Sequence, residues 1–193
     1  SKPVTFQEIS DALEKAKVEL DKKYSIDKNI KDLQEKSESV LKMVQRDDLN
    51  KLVTLKSIPA NFREKLQADG IEINLPYVLF AIFDPDQSED ELSFEESELV
   101  NYYLDQYIND EFKDFSLNIF ESASSKSLLL GSSNPFDKEE LQARFARVIA
   151  KIKRTCGVSL SVGISDFGST QEIGSYRKLY RHARWTLEYR AVV

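Results

Sequence analysis

The chain has 193 residues, of which 41% are hydrophobic and 31% charged, enough to bury one core and still carry an appendage. A formal charge of −6 argues against direct contact with nucleic acid, whose affinity rests on phosphate neutralisation. One cysteine, Cys156, and one histidine, His182, leave no internal disulfide, zinc cluster or Cys/His catalytic pair. The cysteine usage fits a reducing, cytoplasmic setting, and no apolar run approaches the ~18 residues of a membrane span.

Taken in order, Thr5 and Glu8 have capping-box spacing and Ile9, Leu13, Ala16 and Leu20 follow at helical intervals, predicting a helix to about Tyr24. A second helix is predicted from Asp27 to about Lys56. In it Ile30, Leu33, Ser37, Val40 and Val44 step by three and four, as the seam of a coiled coil does. An amphipathic helix packed on its own domain fits this short pattern equally well. Pro59, Phe62, Leu66 and Gly70 mark a short helix that closes an arm over residues 1–70.

From Ile71 to Val193 strands and helices alternate. Tyr77 to Phe83 is unbroken apolar sequence, as in a strand covered on both faces, and Asp84-Pro85-Asp86 stops it. Ser93 and Glu96 cap a helix whose apolar face includes Val100, Leu104, Ile108 and Phe112. Two strands, Phe115 to Phe120 and Ser127 to Leu130, flank a polar hairpin tip. Asp137 caps a helix that Gly157 ends. Val158 to Ser165 alternates as a half-covered strand in which Gly163 signals a bulge or a close backbone approach. A last helix is expected over residues 171–190. This order is an α+β fold, the ferredoxin-like or palm sheet with helices packed on one face.

The stretch VSLSVGIS and the helix SYRKLYRHARWTLEYR resemble the end of the degenerate GGDEF-like domain found in the middle of AraC-type bacterial transcription regulators. In that family a GIS-like strand end precedes a helix that opens on Ser-Tyr, carries spaced alanines and ends on Tyr-Arg. Ser175, Tyr176, Ala183, Leu187, Tyr189 and Arg190 match it, with Tyr180 in place of the first alanine. The resemblance implies a flanking sensor, free or membrane-anchored, before Ser1, a DNA-binding domain after Val193, and homodimers formed through the helical arm.

Active GGDEF domains are diguanylate cyclases, whose metal-bound carboxylates bridge phosphate oxygens. Asp84 matches the first cyclase acid and Asp86 follows at a plausible spacing. The hairpin tip, Ser122 to Lys126, lacks the glycine pair and the second acid, and a lysine there opposes a metal ion. The resemblance therefore implies a relay without enzymatic activity or cofactor. A ligand-sensing alternative would use Asp84, Asp86, Ser124, Ser125 and Lys126; the bland reading makes them turn residues. The basic run Arg177, Lys178, Arg181 and Arg184 reads as a solvated helical face, and His182 as a surface residue.

Overall fold

The structure, a computed structural model, describes residues 6–86, 92–122, 125–167 and 172–189, with side chains described from residue 16 onward except that of Val18. It forms two compact units, Ser1–Met43 and Val44–Val193. Helix α1 spans Phe6–Thr54 without interruption. The two helices expected in this stretch are one, because residues 24–27 contain neither glycine nor proline and extending a helix is easier than nucleating a second one. The capping box predicted at Thr5 lies outside the described residues.

The boundary expected after residue 70 falls instead at Met43. Leu49, Leu52 and Val53 at the end of α1, with Phe62 and Leu66 of α2 (Phe62–Ala68), are core residues of the second unit. Asp48, almost fully buried, ties the two helices together through an ion pair with Lys65. Gly70 then turns the chain at φ 78°, a left-handed conformation suited to glycine.

Beyond it come β1 (Tyr77–Pro85), α3 (Phe94–Glu111), β2 (Ser116–Ser122), β3 (Ser125–Ser132), α4 (Lys138–Cys156), β4 (Leu160–Ile164) and α5 (Gly174–Glu188). The sheet has four strands in the order β2-β3-β1-β4, all neighbours antiparallel, the order of the ferredoxin-like fold. The predicted caps are present. Ser93 Oγ accepts from the Glu96 N–H while the Glu96 carboxylate accepts from the Ser93 N–H, Asp137 accepts from the Glu140 N–H, and Gly157 ends α4 at φ 74°.

Alternation along β1 sends Leu79, Ala81 and Phe83 to one face, against Val100, Leu104, Ile108, Phe145 and Ile152 of α3 and α4. Val78, Phe80 and Ile82 go to the other, against Tyr176, Tyr180, Ala183 and Leu187 of α5 and the end of α1. Helices thus cover both faces, not the single face expected. A strand apolar on both sides requires this, since an uncovered face would leave Phe80 and Ile82 in water.

Gly163 makes the second layer possible. A β-carbon there would lie 2.2 Å from the Ala183 carbonyl oxygen and 2.7 Å from the Leu187 nitrogen, both backbone atoms of α5. Gly163→Ala should therefore push α5 off the sheet and destabilise the fold by about 1–3 kcal/mol. Denaturant titration checks this, and an unchanged midpoint would refute the close packing.

On the opposite face ion pairs join α3 to α4. Glu111, with its side chain 12% exposed, accepts from Lys151 at 2.8 Å and Arg147 at 2.9 Å, and Arg144 forks onto Asp114 at 2.5 and 2.9 Å. Lys151, then Arg147, holds the Glu111 carboxyl below its ordinary range, and Arg144 does the same for Asp114. Because these carboxyls are depressed on folding, their contribution is complete above the unfolded value near ~4.3 and disappears as pH falls through the folded one. Glu111→Gln should cost about 1–3 kcal/mol at pH 7, with the gap to the native chain narrowing below about pH 4. Urea titrations across that range test it, and a pH-independent gap would contradict it.

Candidate functional site

The site the sequence singles out lies where β1 ends beside the β2–β3 hairpin and β4. Asp84 and Ser125 meet there, but Lys126 does not join them. Asp84 follows Phe80 and Ile82 on the α5 side of the sheet, where its Oδ1 accepts from Ser125 Oγ at 3.0 Å. Asp86, past the end of β1, accepts from Ser161 Oγ of β4 at 2.5 Å, and its N–H donates to the Ser159 carbonyl. The strand therefore runs two residues further than the DPD sequence suggested: Asp84 and Pro85 still pair with Ser161 and Leu160 of β4, because the donor that Pro85 lacks would face the edge toward β3, and Asp86 alone stands past the strand end. Ser124 lies outside the described residues.

Lys126 faces the other way. It pairs with Phe83 in register, on the α3 side, and is only 7% exposed. Its ammonium lies 3.0 Å from Asp105 Oδ1 of α3, an ion pair without hydrogen-bond alignment, and 3.4 Å from Glu121 Oε1 of β2. Glu121 is shared, since its Oε2 also meets Arg46 of α1 at 2.9 Å and its carbonyl accepts from Asn50. The acid nearest the hairpin is therefore neutralised by two cations. Among the described residues no group of three His, Cys, Asp or Glu side chains could hold a metal ion.

The cavity next to the Lys126 side chain, lined by Phe83, Pro85, Val100, Leu104 and Leu160, holds about 40 Å³. That is room for water, and far below the ~300 Å³ at which ligand pockets begin. Ser125, expected in the turn, is instead the buried first residue of β3, and its hydroxyl donates to the Asp84 carboxylate. Cys156 is a free, partly buried thiol that burial pushes up from its ordinary range, the opposite of a poised nucleophile. His182 Nδ1 accepts from the Asp166 N–H at 3.0 Å, fixing the loop that follows β4.

The predicted seam residues lie on one face of α1. Ile30 is 48%, Leu33 66% and Val40 61% exposed, Ser37 is exposed with them, and Ile26, four residues before Ile30, extends the stripe. Val44, the last predicted position, is half-buried and belongs to the second unit. Among the described residues no helix is long and apolar enough to cross a membrane.

Several polar groups were not legible as partners in the sequence. The Lys126–Asp105 and Arg46–Glu121 pairs join residues distant in the chain, with no local spacing to announce them. The basic run on α5 was visible, but not its meeting with Lys56 in the loop after α1.

If the Lys126 ammonium is structural only through its packed stem, Lys126→Met should cost no more than about 1 kcal/mol, since the Asp105 and Glu121 side chains are each more than a third exposed and can turn the carboxylates to water. Lys126→Ala, which empties the space beside Phe83 and Leu104, should cost about 2 kcal/mol or more. Equal losses in the two variants, measured by denaturant unfolding, would assign the stability to the charge.

No family model matches the chain, and neither does any curated protein. Among solved structures it is similar to the hypothetical protein MJ1052 from Methanocaldococcus jannascii, at 17% identity and a TM-score of 0.31, over 55% of this chain and 96% of that one. A likeness that slight bears on neither fold nor function.

Proposed function

We propose that the chain is a non-catalytic relay and dimerisation module, the helical arm and degenerate GGDEF-like domain of an AraC-type transcription regulator. The observation that carries this reading is the exposed aliphatic stripe Ile26, Ile30, Leu33 and Val40 on a helix whose unit, among the described residues, has no other element to cover it. A second copy of the same helix fits such a stripe, because residues spaced by three and four keep one face turned toward a partner. Ser37 in the middle of the seam weakens it, so alternative registers of the pair differ little in energy. A shift between registers, driven by a sensor ahead of the arm, would then reposition the two globular units and the DNA readers attached beyond them.

The ion pairs of Lys126 support a domain that keeps the shape of a nucleotide enzyme without its chemistry. An ammonium sits on the α3 side of the sheet between two carboxylates, and Asp84 points to the opposite face. The sensor reading that uses Asp84, Asp86 and Lys126 together has no common face on which to build a ligand site.

Ser37→Leu should tighten self-association of the 193-residue chain about tenfold, and Leu33→Glu should weaken it by at least as much. Sedimentation equilibrium measures both. A dimer constant indifferent to both changes would remove the seam and the relay built on it.

A further inference from the structure

A second concavity lies between the loop that leaves α1 and the first two turns of α5. It holds about 380 Å³ and is lined by four cations: Lys56, Arg177, Lys178 and Arg181. Its remaining wall is largely apolar, from Leu55, Ile58 and Ile173. The volume falls within the ~300–1,000 Å³ of small-ligand sites.

Among the described residues these cations have no ion-pair partner, although Glu172 adjoins them in sequence. Elsewhere in the same unit Arg144, Arg147, Lys151, Lys126 and Lys65 all have carboxylate partners. In a chain of net charge −6, carboxylates to neutralise this cluster are plentiful, yet no described one pairs with it. The arrangement also works against α5 itself. Arg177 and Arg181 are like charges at i and i+4, and basic residues in the opening turns oppose the positive end of the helix dipole. No acidic side chain occupies that first turn to offset them.

We propose that this pocket binds a phosphorylated small molecule that carries an apolar or aromatic group, of about nucleotide size. Two guanidinium forks and two ammonium groups match the several oxygens and charges of a di- or triphosphate better than a single carboxylate. Leu55, Ile58 and Ile173 supply the surface on which the uncharged part of the ligand rests. The site is distinct from the Asp84 region and does not depend on the relay reading: the ligand would act from the junction of α1 and α5, whether or not the arms pair.

Calorimetric titration of the 193-residue chain with ATP, pyrophosphate and adenosine, each without metal, tests the assignment. ATP should bind saturably at one site per chain and about tenfold or more tighter than pyrophosphate, the difference coming from the apolar wall. Arg177→Gln with Arg181→Gln should weaken ATP by about a hundredfold, whereas Arg184→Gln, one turn further along α5, should leave it within about twofold. The paired substitution should leave the unliganded melting temperature unchanged or raised, because like-charge repulsion is relieved. A lowered melting temperature would mean that these arginines are structural and would overturn the proposal. So would pyrophosphate binding as tightly as ATP, an equal loss in Arg184→Gln, or no saturable binding of ATP at millimolar concentration. Tighter, strongly salt-dependent binding of duplex DNA than of ATP would assign the cluster to nucleic acid instead.

Discussion

Strand β1 carries the globular unit because it is apolar on both faces and hydrogen-bonded on both edges. Val78 to Phe83 are each 1% exposed or less, so every side chain of that run must find a packing partner above or below the sheet. Pairing with β3 on one edge and β4 on the other satisfies the backbone, and two helical layers satisfy the side chains. The layers differ in what joins them to the rest. α3 and α4 are held to each other by the Glu111 and Arg144 ion pairs, while α5 is held to β4 by the missing side chain of Gly163.

That arrangement decides what the end of β1 can do. Side chains alternate along the strand, so Asp84 and the residue paired with Lys126, Phe83, emerge on opposite faces. A site that needed both the carboxylate and the ammonium would have to cross the sheet. Asp84 and Asp86 instead hold Ser125 and Ser161, the hydroxyls of the strands on either side of β1, and so close the sheet at that end. Lys126 lays its stem along the apolar layer and its charge between Asp105 and Glu121, the usual way a long cation is accommodated at the margin of a core.

Charge is distributed unevenly for the same reason. Where two helices pack side by side, as α3 and α4 do, acids and bases meet across the groove and cancel. At the start of α5 the helix meets a loop whose nearest charged residue is another cation, Lys56, and positive charge accumulates around a concave apolar wall. In unit 1 charge surrounds a stripe of exposed aliphatic residues, the pattern a second helix can cover.

Much of this was legible locally. The capping box at Ser93, the Asp137 cap, the glycine at the end of α4, the hairpin and the continuous apolar run of β1 are short-range patterns, set by backbone hydrogen bonding and side-chain period within a few residues. Gly163 announced a close approach, though not what approaches it. What depended on tertiary structure were the relations between distant segments. The end of α1 joined the core because Leu49, Leu52 and Val53 found the uncovered face of β1, which no heptad count can foresee. Tyr180, standing where the resembled family has an alanine, became a core residue against Phe80 and Phe120 because that face had room for a ring. The direction of Asp84 relative to Lys126, and the meeting of Lys56 with Arg177 and Arg181, followed from strand register and helix placement. Sequence alone determined which segments would be helix or strand, because those preferences act over a few residues; only the folded chain decided which charges meet, because ion pairs form between neighbours in space.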